Sequence, residues 1–288
     1  MADHVVEGLS FLLPICNQAG HLELVMASWS TLLERLDRPY EILVIDDGST
    51  DSTQKLIEGV DGRAGLTKRI PHVRVITHSE RRGFGACVRE GIEASRFPLV
   101  FYTGCDFAYN PADLRKMLPR LEDVEPVTGQ KVGAVTGYRA AYPLTGWPKL
   151  RNRLWRIFMR VVLGMNLPAP TGWPGKTERR FAFWTRVFFG LRVEDVNSKF
   201  KLFRKSIFTR IPIQSDGDFV HGEILSKANF LSIPVAEIPI AEHPGPFPPH
   251  SEPPPRTSRG SEMRRVFFRP DFGPLPNPAG VSPATIPH

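Results

Sequence analysis

The chain has 288 residues, of which 41% are hydrophobic and 23% charged, an ordinary composition for a globular protein with a full core. Its three cysteines are widely spaced and odd in number, so neither a disulfide framework nor a cysteine-based metal site is predicted. The net charge of +7 is unevenly distributed and no recognisable nucleic-acid-binding module accompanies it, so we expect no nucleic-acid partner.

The sequence also argues against export and against membrane insertion. The first residues, Met-Ala-Asp-His, include no basic segment followed by a long apolar one. No run of 18 or more apolar residues occurs. We therefore expect no signal peptide, no transmembrane helix, and a cytoplasmic protein, with any membrane contact confined to the surface.

Short apolar runs alternate with helical patterns through the first 140 residues. The β-branched and leucine-rich runs favour strands that are buried on both faces of a sheet. This regular alternation predicts a parallel, helix-covered α/β sheet. The predicted strands are 9–13, 41–45, 73–77, 99–103 and 132–136, and the predicted helices are 19–36, 52–59, 83–95 and 111–121.

The most informative stretch begins where the second predicted strand ends, at Asp46 and Asp47. Gly48 permits a tight turn, and each of the next three residues can cap the following helix. Open α/β sheets bind ligands at the carboxyl ends of their strands, where carboxylates can receive ribose hydroxyls, a base N–H or a metal. The alternative is that both residues serve only the turn and the cap.

A second loop, residues 82–86, reads Arg-Gly-Phe-Gly-Ala and opens the third predicted helix. Its glycines, Gly83 and Gly85, let backbone N–H groups approach an anion at the amino end of that helix. The first strand is not followed by Gly-x-Gly-x-x-Gly, which argues against a dinucleotide-dependent oxidoreductase.

One region of the chain is strongly basic. Ten Lys or Arg residues and a single Glu fall between Trp147 and Arg192. Apolar residues at helical spacing run through 150–162 and 181–191 with arginines beside them, which predicts two amphipathic helices with cationic faces. Either both helices pack on the sheet, or they lie on an anionic membrane surface with their apolar faces down.

The composition changes after His243, since thirteen prolines fall between Pro244 and Pro287. Such a segment has too little apolar content to form a core of its own. We therefore predict one domain over 1–243, which includes the basic insert 147–192, and an extended or disordered tail over 244–288. Residues 266–268, Val-Phe-Phe, are the part of the tail able to fold back on the domain.

Several of these motifs together resemble those of family 2 glycosyltransferases. Residues 14–18, Pro-Ile-Cys-Asn-Gln, are similar to the family's Pro-x-Tyr-Asn-Glu element. Residues 41–53 are similar to its second-strand signature, and residues 82–86 to its glycine loop. Residues 99–111 look like the strand that delivers the Asp-x-Asp motif. Residues 195–204 resemble the Asp-x-x-x-x-Phe-[Lys or Arg]-Leu-Phe-Arg element of the dolichyl-phosphate mannose synthase-like branch.

The likeness covers about residues 8–243. It implies a GT-A fold, which is a Rossmann-like, mostly parallel sheet covered by helices, here with amphipathic helices inserted near 148–191. It also implies a nucleotide-sugar donor, a UDP- or GDP-linked hexose. By position, the residues that it assigns to the donor site are Pro14, Asn17, Asp46, Asp47, Gly83 and Asp106.

The family's Asp-x-Asp motif implies Mg²⁺ or Mn²⁺ bridging the donor diphosphate, with Asp106 as the metal ligand in this chain. Gly104 stands where the first Asp is expected, and Ala108 where some members have a Gln ligand. Three alternatives follow. Asp106 holds the metal together with the diphosphate and water, or nearby arginines replace the metal, or the protein binds a nucleotide without turnover.

We predict an inverting transfer to a polyprenyl phosphate or another membrane-associated acceptor. A phosphate is already an anion near neutral pH, so catalysis would consist of placement and stabilisation of the leaving group. The candidates to hold it are Arg139, Lys201 and Arg204. A hydroxyl acceptor would instead need a carboxylate base, and with Asp106 the catalytic candidates are Asp195 and Glu223. The alternative function is a catalytically impaired nucleotide-sugar-binding protein that acts as a membrane-surface scaffold.

Overall fold

The structure is a computed structural model. It describes residues 6–59, 64–105, 109–126, 128–139, 153–154, 157–158, 160–161, 176–240 and 258–274, without the side chains of 176–180. Two residues of the predicted metal site, Asp106 and Ala108, lie outside the described residues, as does most of the predicted tail.

The described strands form one sheet. They are β1 (Leu9–Ile15), β2 (Tyr40–Asp46), β3 (Val73–Thr77), β4 (Leu99–Tyr102), β5 (Ala134–Arg139), β6 (Lys201–Arg204) and β7 (Val235–Ile240). Their order across the sheet is β3-β2-β1-β4-β6-β5-β7. β6 is antiparallel to both of its neighbours, whereas the other pairs are parallel. The predicted mostly parallel sheet is confirmed.

Helices connect and cover these strands. They are α1 (Leu22–Glu34), α2 (Thr53–Glu58), α3 (Leu66–Arg69), α4 (Phe84–Ala94), α5 (Leu114–Arg120), α6 (Lys176–Phe189), α7 (Val220–Phe230) and α8 (Arg259–Phe268). Short 3₁₀ helices occupy Pro111–Asp113 and Lys205–Thr209. Within the described ranges, no helix is both long enough and apolar enough to cross a bilayer.

The core lies on both faces of the sheet because successive side chains of a strand point in opposite directions. In β1, Phe11 and Leu13 join a cluster with residues of α1 and α5, whereas Leu12 joins a cluster with residues of α4 and α7. Every residue of β1 is buried. Burial on both faces explains why this strand is almost entirely apolar in sequence.

A third apolar cluster joins α6, α7 and α8, and it includes the buried side chains of Phe189, Phe219 and Val266. The prediction of an extended or disordered tail is therefore wrong for residues 259–268, which form α8. This stretch contains no proline, and the Ser258 hydroxyl caps it by accepting from the Ser261 N–H (3.2 Å).

The second predicted amphipathic helix corresponds to α6. Of the first, the six described residues are helical. They include Leu154, Ile157, Phe158 and Val161, whose side chains are all exposed.

Candidate active site

The carboxyl ends of the parallel strands lie along one edge of the sheet. Ile15 of β1 is aligned with Asp46 of β2, and Asp46 with Thr77 of β3. Tyr102 ends β4 and is aligned with Lys201, the first residue of β6. This edge therefore brings the Asp46–Asp47 turn and Lys201 to the same side of the sheet, although 155 positions separate Asp46 from Lys201. We call it the carboxyl edge.

The loop after β1 is bound to the loop after β2. Asn17 adopts a left-handed conformation (φ 55°), which asparagine tolerates better than most residues. Its side-chain Oδ1 accepts from the N–H groups of Thr50 (2.8 Å) and Asp51 (3.3 Å), and its own N–H donates to the Ser49 hydroxyl (2.9 Å). Pro14 lies within β1 and is buried. Asn17 thus fixes the shape of the turn that follows Asp46.

Asp46 has one oxygen that the protein engages and one for which the described residues supply no donor. The side chain is buried, and its Oδ1 accepts from the N–H (3.1 Å) and the hydroxyl of Ser49. Its Oδ2 accepts no hydrogen bond from any residue that the structure describes. A carboxylate oxygen at the carboxyl end of a strand is suited to receive an N–H or O–H of a ligand.

Asp47, in contrast, is engaged on both oxygens by the protein itself. Its Oδ1 accepts from the Arg82 N–H (2.7 Å) and lies 2.9 Å from His78 Nδ1, and its Oδ2 accepts from the Gly83 N–H (2.8 Å). His78 Nε2 lies 2.8 Å from a carboxylate oxygen of Glu90. Asp47 therefore anchors the glycine loop. Sequence reasoning missed His78, although it directly follows β3 and so satisfies the same strand-end rule as Asp46.

Asp47, His78 and Cys87 bring potential metal-ligand atoms within 4.8 Å of one another. Burial, reinforced by the nearby Asp47 carboxylate, raises the pKa of the Cys87 thiol, whereas metals bind the thiolate. Both nitrogens of His78 already face carboxylates. Mg²⁺ and Mn²⁺ favour oxygen ligands, so this donor set does not fit them and acts instead as a hydrogen-bonded network.

The glycines of the 82–86 loop allow close contact with another backbone segment. Gly83 has a φ of 108°, and a Cβ there would lie 2.4 Å from the Asp216 carbonyl oxygen. A Cβ on Gly85 would lie 2.3 Å from the carbonyl oxygen of Ser215. The Ala86 N–H donates to the Asp216 carbonyl (3.1 Å). The glycines are thus required by packing, and the Gly83 N–H is already bound to Asp47.

A buried Tyr–His pair occupies the centre of the carboxyl edge. The Tyr102 hydroxyl and His221 Nδ1 are 2.9 Å apart, and both side chains are buried. Burial, together with the positive charges of Lys201 and Lys199, holds the pKa of His221 well below its usual value, so the imidazole is neutral. Phe84 packs its ring against both partners. Sequence reasoning identified neither member of this pair.

Beyond β4, the described residues Thr103, Gly104 and Cys105 supply no carboxylate. The predicted ligand, Asp106, lies outside the described residues, so its role remains a prediction.

Cationic side chains predicted for the acceptor lie farther along the same edge. Lys201 is fully buried, and its Nζ donates to the Thr136 hydroxyl (2.7 Å). Burial lowers the pKa of Lys201 to about 8. Arg139 donates from Nε and Nη2 to the two oxygens of Asp195 (2.7 and 3.3 Å). The structure thus brings three predicted residues together, with Asp195 bound to Arg139.

Two residues whose role the sequence did not reveal bind the backbone just before Asp195. Arg186 of α6 donates to the backbone carbonyls of Val193 and Glu194. Glu237 of β7 accepts from the Glu194 N–H (2.8 Å), and burial raises the pKa of its carboxyl group. The loop that carries Asp195 is therefore fixed by two partly buried charged side chains.

Arg204 lies at the other end of the sheet, which is a correction to its predicted role. It is aligned with Leu99, the first residue of β4, whereas Lys201 is aligned with the last. Its guanidinium donates to carboxylate oxygens of Glu7 (2.9 Å) and Glu122 (2.6 Å). Arg204 also lines a cavity of about 530 Å³ at that amino-terminal end. It is too far along the strand to share a ligand with Arg139.

Glu223 also has a different position from the one expected of a catalytic base. The side chain is fully buried in α7, and its oxygens accept from the N–H groups of Gln214 (2.7 Å) and Ser215 (2.8 Å). One of them also pairs with Lys227 Nζ (2.7 Å), which is equally buried. This carboxylate holds the segment before α7 rather than facing a substrate.

Sequence comparison identifies a family. Residues 10–184 match the family model described as "Glycosyl transferase family 2". The chain is 27% identical over 245 residues to dolichyl-phosphate beta-glucosyltransferase of Homo sapiens. This match covers 83% of this chain and 68% of that protein. It is 24% identical over 210 residues to dodecaprenyl-phosphate galacturonate synthase of Rhizobium johnstonii. This second match covers 72% of this chain and 51% of that protein.

Comparison with solved structures identifies the fold. Glucosyl-3-phosphoglycerate synthase from Mycobacterium tuberculosis, in complex with Mn²⁺, UDP and glucosyl-3-phosphoglycerate, has a TM-score of 0.54 and 18% sequence identity to this chain. The match covers 91% of this chain and 77% of that one. At this level of identity the likeness concerns the fold alone, and it is the α/β GT-A fold.

Proposed function

The chain belongs to glycosyl transferase family 2 and is a glycosyltransferase; we propose that it moves a hexose from a UDP- or GDP-linked donor to a polyprenyl phosphate, with inversion. The observation that carries the proposal is the division of the carboxyl edge. An available oxygen of Asp46 lies toward one end of this edge, and Lys201 and Arg139 lie toward the other. Such an edge can hold a nucleotide and an anionic acceptor side by side.

In the donor half, Asp46 Oδ2 accepts a base N–H or a ribose hydroxyl, as ligands do at the strand ends of open α/β sheets. Asn17 forms the adjoining wall, since it belongs to the loop bound to the Asp46 turn, and Pro14 lies just before that loop in β1, aligned with Ile45 of β2. Asp47 and Gly83 act indirectly by fixing the glycine loop beside the nucleotide.

We assign the divalent cation to Asp106, the donor diphosphate and water. Mg²⁺ usually keeps several waters and needs only one or two protein carboxylates beside substrate phosphates, so a single Asp fits it. The bound cation would neutralise charge on the leaving diphosphate. The Mn²⁺ in the structure of the mycobacterial synthase supports metal use by proteins of this fold.

In the acceptor half, Arg139 contacts the phosphate, and Asp195 orients the Arg139 guanidinium through the two hydrogen bonds between them. Lys201 adds positive charge from beneath the edge. An acceptor phosphate oxygen attacks the anomeric carbon while the bond from that carbon to the donor diphosphate breaks. The nucleophile is already deprotonated near neutral pH, so no carboxylate base is needed, and attack opposite the leaving group inverts the configuration.

The names of the relatives support a polyprenyl phosphate acceptor. Both relatives described above are named for transfer or synthesis on a dolichyl or dodecaprenyl phosphate. Neither is named as a binding protein, so the alternative of a non-catalytic scaffold has no support from them.

Calorimetric titration of the purified protein tests the donor half. UDP, GDP and their glucose and mannose derivatives are titrated with and without Mg²⁺ or Mn²⁺. We expect one nucleotide series to bind, more tightly with metal, and its sugar derivative to be turned over when a polyprenyl phosphate is added. Binding that is unaffected by metal, with no turnover on any lipid phosphate, would support the scaffold instead.

A further inference from the structure

Helices α6 and α8 lie side by side and run in the same direction. The Arg259 guanidinium lies 5.8 Å from the Phe181 ring, Met263 Sδ is 3.8 Å from the Thr185 hydroxyl, and the ring of Phe267 is 5.2 Å from that of Phe188. The sequence separation in these three pairs is almost constant, so the two helices stay in register. They therefore form one continuous two-helix surface.

The outer side of this surface is aromatic. We call the set Trp184, Phe188, Phe267 and Phe268 the aromatic ridge. Their exposed fractions are 46%, 42%, 40% and 72%. Neighbouring rings are in contact, with centroid distances of 5.7, 5.2 and 5.2 Å along the ridge. A contiguous exposed apolar patch of this kind marks an interaction surface more often than scattered single residues do.

Positive charge flanks the ridge. Arg264 and Arg265 are exposed on α8, and Arg269 is exposed just after it. The acid of α8, Glu262, points inward, where it is buried and accepts from the N–H groups of Asp216 (3.1 Å) and Gly217 (2.7 Å). Arg264 and Phe268 are four residues apart and share a face of the helix. Within α8 the exposed charged side chains are Arg264 and Arg265, which lie beside the exposed rings of Phe267 and Phe268, and the nearest described exposed acid, Asp271, follows the helix.

We propose that the aromatic ridge and its arginines bind the surface of an anionic lipid leaflet. Aromatic side chains insert at the level of the lipid headgroups, and arginines beside them pair with anionic lipids. A second copy of this chain fits less well, because two ridges face to face would bring like charges together. The ridge is distinct from the proposed acceptor contacts, so this inference does not depend on the acceptor.

The position of α8 relates the bound surface to the active site. Through Glu262, α8 holds the 216–217 backbone, and that backbone packs against the glycines of the 82–86 loop. A membrane bound at the ridge would therefore contact α8, and α8 in turn holds the backbone that packs against the glycine loop in the donor half of the carboxyl edge.

Cosedimentation of the full chain with vesicles tests the proposal. The vesicles contain phosphatidylcholine alone or with 30% phosphatidylglycerol, a composition chosen for the assay. One variant is Arg264→Gln/Arg265→Gln, and a second is Trp184→Gln/Phe268→Gln. The matched control is Arg115→Gln/Arg120→Gln, which removes the same charge from the exposed side of α5, on the other face of the sheet. Circular dichroism melting verifies that each variant is folded.

We expect the wild-type protein to bind the anionic vesicles and not the neutral ones. Each arginine near a charged surface contributes about fivefold to partitioning, so the arginine variant should bind roughly 30-fold more weakly. The aromatic variant should also lose binding, and the control should stay within about twofold of wild type. Tryptophan emission of the wild type should shift to shorter wavelength on anionic vesicles, and Trp184→Phe should reduce that shift.

Three results would overturn the proposal. The wild type could fail to bind anionic vesicles, or the control could lose as much binding as the ridge variants. Sedimentation could instead reveal a dimer that the ridge variants dissociate, which would assign the ridge to a second copy of this chain.

Discussion

Asp46 and Asp47 are consecutive residues whose carboxylates serve different purposes. One oxygen of Asp46 accepts no hydrogen bond from the described residues, whereas both oxygens of Asp47 are bound to the backbone of the glycine loop or to His78. Sequence reasoning identified both as nucleotide ligands because both follow a buried strand. Sequence reasoning could not distinguish their roles, because the partners of Asp47 lie more than 30 positions away along the chain.

The pair Asp46→Asn and Asp47→Asn separates these two roles. Asp46→Asn preserves the carbonyl oxygen that Ser49 needs but replaces Oδ2 by a donor. We expect nucleotide affinity to fall by about tenfold or more, with less than about 1 kcal/mol lost from the free energy of unfolding. Asp47→Asn leaves a buried N–H without an acceptor, so it should lower the free energy of unfolding by about 2 kcal/mol.

Calorimetric titration with the bound nucleotide and urea denaturation measure the two effects. Equal losses of stability in both variants, with unchanged nucleotide affinity in Asp46→Asn, would contradict this division.

Lys201 should make the free energy of unfolding depend on pH. Burial lowers its pKa to about 8 from an ordinary value of 10.5, so the unfolded chain binds more protons between these two pH values. The free energy of unfolding should therefore rise with pH in this window, by up to about 3 kcal/mol relative to Lys201→Met, which carries no charge there.

Urea denaturation of both proteins at pH 8 and pH 10 measures the difference, and other titrating groups cancel in the comparison. A constant difference across the window would mean that Lys201 keeps an ordinary pKa in the folded protein.

At the scale of the element, α7 is anchored by a buried ion pair. Glu223 and Lys227 are one turn apart and fully buried, and Glu223 also accepts from two backbone N–H groups. Glu223→Gln removes the charge that compensates Lys227, so it should lower the free energy of unfolding by about 3 kcal/mol. Glu223→Gln/Lys227→Met should recover more than half of that loss, because no unpaired charge stays buried.

Urea denaturation at pH 7 tests this account of α7. If Glu223→Gln instead abolished turnover while its stability stayed within about 0.5 kcal/mol of wild type, Glu223 would be a catalytic base after all.

The sequence predicted the elements whose signal is local. Strands β1 to β5 were recognisable because each is a short apolar run, and α4 because a glycine loop precedes it. The antiparallel insertion of β6 between β4 and β5 was not predictable, because strand order depends on contacts between distant segments. α8 was missed because the prolines around it dominated the composition of the tail, although residues 259–268 contain none.

For the whole molecule, the proposed functional features lie in different places. The carboxyl edge carries the available oxygen of Asp46, the Tyr102–His221 pair and the Arg139–Asp195 pair. The opposite end of the sheet holds Arg204 and a cavity of about 530 Å³. The aromatic ridge lies on the outside of α6 and α8.

The candidate site was predictable from sequence only in part. Motif resemblance identified Asp46 and Asp195, and its positive charge suggested Arg139. It could not reveal that Arg139 and Asp195 bind each other across 56 positions, nor that Arg204, three residues after Lys201, lies at the other end of its strand.

The most direct test of the proposed function is transfer of radiolabelled hexose from UDP-glucose or GDP-mannose to a polyprenyl phosphate. Label extracted into the lipid phase is compared with that obtained using the matching polyprenyl alcohol, for wild type and for Asp46→Asn. We predict labelled lipid from the phosphate with wild type, little with Asp46→Asn, and none from the alcohol. Equal labelling of the alcohol, or no labelled lipid although the donor binds, would contradict the proposed function.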